Sequence, residues 1–81
     1  MRLPRNISGS NLVQLLSLYG YKITRQTGSH IRLTTYQAGE HHITIPDHKE
    51  LRVGTLHAII NDIADHFSMN RDELAKTLFE K

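Results

Sequence analysis

The stretch Tyr21-Lys22-Ile23-Thr24-Arg25-Gln26-Thr27-Gly28-Ser29-His30-Ile31-Arg32-Leu33-Thr34 is where the hydrophobic period becomes two. Tyr21 and Ile23 alternate with Lys22, Thr24 and Gln26. Beyond Gly28, Ile31 and Leu33 alternate with His30, Arg32 and Thr34. Such alternation marks strands with one apolar face. A third run, Ile43 and Ile45 between His42 and Thr44, follows Gly39 and stops at Pro46. Two close connections make the three runs an antiparallel meander with the middle strand central. Setting Ile23 opposite Ile31 and Tyr21 opposite Leu33 puts all four on one face. It leaves Gln26-Thr27-Gly28 as a three-residue loop, whose last position favours a left-handed glycine. This register predicts Thr24 opposite His30 and Lys22 opposite Arg32, on the face turned away from the core. Ile31 opposite Ile45 then brings His30 near Pro46.

Helices flank the meander. Leu12, Leu15, Leu16 and Tyr19 recur at helical spacing behind Ser8, a residue type that caps free amides, and Gly20 stops the pattern. This predicts a helix over 9–19. Leu56, Ile59, Ile60 and Ile63, extended by Phe67, predict a second over about 54–66. Asn70, with Glu73 three residues on, starts a short third helix carrying Leu74, Leu78 and Phe79. The expected fold is α+β, in the order α-β-β-β-α with an extra C-terminal helix. The sheet can bury only its apolar face against the helices, so its polar face stays wet or meets a partner.

The 81 residues suit a single domain spanning 1–81. The absence of cysteine excludes a disulfide scaffold and a Cys-ligated zinc ribbon. No apolar run approaches the roughly 18 residues of a membrane span. The segment Met1–Asn6 has no apolar signal region, so a cytoplasmic location is expected. The net charge of +2 is unevenly placed. Residues 1–52 carry seven basic against three acidic groups, +4; residues 53–81 carry three against five, −2. The basic part is suited to a polyanion, although a mixed solvated surface would look the same.

His30 is the residue best placed for chemistry. It opens the central strand on the open face, beside Thr24, Lys22 and Arg32, where an imidazole can exchange protons from a rigid element. Lys22 facing Arg32 is a like-charge pair that an overlying phosphate would relieve; two side chains bending apart into water is the bland reading. His48, two residues past Pro46, is a second candidate, as a proton donor or merely as a tie for the loop. Tyr36 in the second hairpin is able to stack on a base. His41 and His42 point to opposite faces of a strand, and His57 and His66 lie nine apart on a helix. None of these has metal-ligand spacing, and no cofactor loop is present, so neither a metal nor a cofactor is expected.

Gly20-Tyr21, Arg25-Gln26-Thr27-Gly28-Ser29-His30, Ile45-Pro46-x-His48 and Gly54-Thr55-Leu56-x-x-Ile59 together resemble the HicA mRNA-interferase toxins, over roughly residues 8–66. The resemblance implies a fold like that of double-stranded-RNA-binding domains, cleavage of mRNA, and inhibition by a HicB antitoxin protein. By position His30 matches the family's catalytic histidine, and Gly28 and Ser29 its flanking pair; His48 matches the histidine after the proline. Thr27 stands where many members have lysine, which removes one phosphate contact. Lys22, Thr24, Arg25, Gly28, Ser29 and Arg32 are the expected substrate-binding residues. The alternative from a different class is a non-catalytic RNA-binding module. Modules of this fold usually place a Lys-rich segment at the start of the last helix; here that segment, Lys49-Glu50-Leu51-Arg52, is half-neutralised by Glu50.

Overall fold

A computed structural model describes residues 2–80. It contains α1 (Gly9–Leu16), continued by a 3₁₀ turn (Ser17–Tyr19), then β1 (Lys22–Thr27), β2 (His30–Thr35), β3 (His41–Pro46), α2 (Val53–Phe67) and α3 (Arg71–Phe79). This is the α+β order expected. The three strands form one antiparallel sheet with β2 in the middle. Among the described residues no helix is long and apolar enough to cross a membrane.

The helices begin where the caps placed them. Ser8 Oγ accepts from the Asn11 amide at 3.0 Å, and Asn70 Oδ1 accepts from the amides of Asp72 at 2.8 Å and Glu73 at 3.3 Å. Leu12 and Leu16 of α1, Leu56, Ile60 and Ile63 of α2, and Leu74 of α3 are fully buried. They close on Ile31, Leu33, Ile43 and Ile45 from one face of the sheet. A buried leucine or isoleucine of this kind contributes about 1.5–3 kcal/mol. The helical stripe and the strand alternation therefore converge on one core, and the second face of the sheet is left open.

The second hairpin has the expected register, with Ile31 opposite Ile45 and His30 opposite Pro46. The first hairpin does not. Its turn has two residues, Gly28 and Ser29, with Thr27 opposite His30. Gly28 takes the first central position at φ +56°, which suits a two-residue hairpin turn with glycine leading. A β-bulge then lies between Ile23 and Arg25. Two residues, Thr24 and Arg25, oppose the single Arg32, and the strand bends there. Four expectations are corrected. Thr24 is not opposite His30; Thr27 is. Lys22 faces Thr34, and it is Arg25 that faces Arg32. The loop is not Gln26-Thr27-Gly28. Ile23 is not core: it faces Leu33 but is 53% exposed, and every residue of β1 is exposed. The helices cover β2 and β3 and leave β1 overhanging, so apolar alternation in β1 does not signal burial.

Candidate functional site

The corrected register arranges the open face in three cross-strand rows. The first is Thr27, His30 and Pro46; the second Arg25, Arg32 and Thr44, with Thr24 beside Arg25; the third Lys22, Thr34 and His42. Rows two residues apart along β2 are separated by about 6.7 Å. The bulge matters here, because it turns both Thr24 and Arg25 toward this face. Thr24 Oγ1 reaches the Thr34 hydroxyl at 2.9 Å.

His30 is the first residue of β2, immediately after the turn, and is exposed. Its backbone is fixed by strand pairing on both sides, while its ring is open to solvent. The turn is fixed as well: the Ser29 carbonyl accepts from the Asp47 amide at 2.7 Å. Gly28 projects into open space, with nothing within 4 Å of where a Cβ would lie, so a polymer can approach His30 from the turn side. Among the described residues no carboxylate pairs with Lys22, Arg25 or Arg32. Arg25 directly opposite Arg32 is thus an uncompensated like-charge pair one row from His30. Such a pair is unfavourable in isolation and is relieved by an anion lying across it.

His48 is exposed, and no hydrogen bond links it to His30 among the described residues. Its position comes from its backbone: the His48 carbonyl accepts from the Gly9 amide at 2.9 Å. The start of α1 is pressed against this loop so closely that a Cβ on Gly9 would fall 2.0 Å from the Pro46 carbonyl oxygen. Gly9 therefore supports the strand end that carries His30's neighbour. A glycine in the first turn of a helix, where it is a poor helix former, was the available signal for it. Tyr36 is 73% exposed but sits past the far end of β2 from His30, about 20 Å away, and does not join the site.

Two histidine chains have partners that spacing alone does not reveal. On the open face, Glu40 Oε2 accepts from His42 Nε2 at 2.7 Å, and His42 Nδ1 lies 2.7 Å from the Thr34 hydroxyl. At the buried side, the Tyr21 hydroxyl lies 2.8 Å from His41 Nδ1, and His41 Nε2 lies 3.1 Å from Asp62 Oδ1. Burial, and then the Asp62 charge, push the Tyr21 hydroxyl up to about 12. His66 stacks on His41 at 4.4 Å and donates from Nε2 to the Gln37 carbonyl. These rings brace the junction of β3 and α2. Among the described residues no cluster of three or more His, Asp or Glu side chains is arranged to hold a metal ion. A hollow of about 410 Å³ between α2 and α3, lined by Asn61, Asp65 and Arg71, touches none of the candidate residues.

The family model for the HicA toxin of bacterial toxin–antitoxin systems matches residues 9–64. The chain belongs to the HicA toxin family. The matched span contains the whole sheet, both histidines of the proposed site and the start of α1 with Gly9; α3 lies beyond it. A HicA toxin is one half of a toxin–antitoxin pair, so this chain has a role as a toxin and a counterpart that restrains it. Neither the curated proteins nor the solved structures contain a match.

Proposed function

We propose that this HicA toxin is a metal-independent endoribonuclease of the cytoplasm that cleaves mRNA and stops translation, with His30 as its general base. The observation that carries the reading is an exposed histidine on a rigid strand end, one row from the unpaired Arg25–Arg32 couple. The His30 imidazole takes the proton of a ribose 2′-hydroxyl. The 2′-oxygen forms a bond to the adjacent phosphorus while the bond to the 5′-oxygen breaks, leaving a cyclic phosphate. Arg32 and Arg25 stabilise the negative charge that grows on the phosphoryl oxygens, with Lys22 contacting the strand further along. Thr24, Gly28 and Ser29 line the path of the RNA. His48 is the candidate acid that returns a proton to the leaving 5′-oxygen. A HicB-type antitoxin restrains the enzyme by covering His30 and the open face.

The test is cleavage of a structureless RNA by the parent and by His30→Ala, each with and without EDTA. The His30 side chain has no hydrogen bond among the described residues, so its loss leaves the fold intact. General acid–base help is worth about 10²–10⁴ in rate, and a loss of that size is expected, with EDTA having no effect on the parent. Equal cleavage by the two proteins removes His30 from the mechanism. Intact RNA with salt-sensitive binding by the parent makes the chain a binding module instead.

A further inference from the structure

A cleft of about 380 Å³ wraps the free edge of β3, between the open face and α2. Arg32, His42 and Thr44 form its sheet wall, Ala58 and Asp62 its helix wall, and Ile43 and Ile59 its floor. Arg32 and Thr44 are the second row, adjacent to the row of His30. An RNA strand whose phosphate sits over His30 thus places a neighbouring nucleotide at the mouth of this cleft.

The chemistry of the walls identifies what enters. His42 has both ring nitrogens engaged, Nε2 by Glu40 and Nδ1 by Thr34. Its edges are used up and its orientation is fixed, so what it offers the cleft is a ring face. A fixed imidazole face over an aliphatic floor is a stacking platform for a planar base. Arg32 carries five N–H donors, so a guanidinium that holds the phosphate with one edge still offers the other edge to the cleft, and no carboxylate occupies it among the described residues. Asp62 Oδ1 accepts from His41, while Oδ2 has no partner among the described residues and is an open acceptor. A donor fork on one side and an acceptor on the other match guanine. Its O6 and N7 accept from an arginine, and its N1–H and amino group donate to a carboxylate. Uracil, cytosine and adenine each lack part of this set.

We infer that the cleft between β3 and α2 is a base-recognition subsite that binds guanine next to the scissile bond. The inference rests on the RNA reading above, and its test is arranged to be separable from RNA cleavage. Tetranucleotides of 2′-deoxyuridine, which lack the attacking hydroxyl, are compared with the same chains carrying one deoxyguanosine, by titration with the parent and with Ala58→Gln. Ala58 is exposed on α2, and glutamine there keeps the helix while filling the cleft. The guanosine chain should bind the parent at least about fivefold more tightly, the low end for one well-paired base contact. Ala58→Gln should abolish that difference and leave binding of the all-uridine chain unchanged. Equal binding of both chains by the parent, or an undiminished difference in Ala58→Gln, overturns the subsite. Either result is read whether or not the chain cuts RNA. If it does cut, cleavage sites mapped on a random RNA should show guanine enriched beside the cut for the parent and not for Ala58→Gln.

Discussion

Replacing Gly9 by alanine should destabilise this protein, although helix propensity alone predicts the reverse. Alanine is favoured over glycine inside a helix by about 0.8–1 kcal/mol. Against that, the new methyl would lie 2.0 Å from the Pro46 carbonyl oxygen, 3.0 Å from its carbon and 3.2 Å from Asp47 Cα. All three atoms are backbone and cannot rotate aside. Forcing a methyl into such a site costs about 1–3 kcal/mol. Separating α1 from the loop also strains the Gly9–His48 hydrogen bond, worth about 0.5–1.5 kcal/mol. The net expectation is a loss of about 1–3 kcal/mol. For a chain of this length that is a fall in Tm of roughly 4–24 °C. The assay is urea unfolding followed by circular dichroism, with cleavage measured below the lowered transition. Because Pro46 is the partner of His30 and Asp47 holds the Ser29 carbonyl, the folded variant should also cut more slowly than the parent. A variant as stable as the parent or more so, with parental cleavage, would refute the idea that α1 buttresses the site.

Three other outcomes are expected. Arg32→Ala or Arg25→Ala should leave stability unchanged or raised by about 0.2–1 kcal/mol as the like-charge pair is relieved, while RNA binding weakens and the slope of its salt dependence falls by about 0.7, the single-strand value for one phosphate contact; a stability loss with unchanged binding contradicts this. Stability should fall as pH rises from 10 toward 12, because the folded state keeps the Tyr21 proton that the unfolded chain releases near 10. The contribution is at most about 2–3 kcal/mol, and it appears as the difference between parent and Tyr21→Phe in unfolding at these pH values. In a complex with the antitoxin, His30 should lose its solvent exposure, as read by histidine-selective modification; undiminished reactivity places the antitoxin elsewhere.

The sequence made the helices and the second hairpin legible because their signals agree. Ile31, Leu33, Ile43 and Ile45 are all buried, so period-two alternation on two covered strands admits one register. The first hairpin departs from its sequence pattern for a physical reason. Matching Ile23 to Ile31 requires an apolar residue in β1 to be covered, but every residue of β1 is exposed, and the glycine at 28 serves a two-residue turn equally well. A bulge leaves no mark in composition, yet it decides that Arg25, not Lys22, stands opposite Arg32. The place of His30 at the start of β2, opposite Pro46, follows the pattern because it depends on the second hairpin. The partners of His41 and His42 were out of reach: Asp62 is 21 residues from His41, and only the packing of α2 on β3 brings them together.

The same bulge bears on what the outer side of β1 can accept. A strand joining there needs an unbroken row of outward peptide groups along a straight edge. At Thr24 the row is interrupted and the edge bends. Growth of the sheet from copy to copy is thereby discouraged on that side, where six exposed residues would otherwise offer a ready template. The residue that the bulge adds to β1 thus also works against polymerisation of the fold.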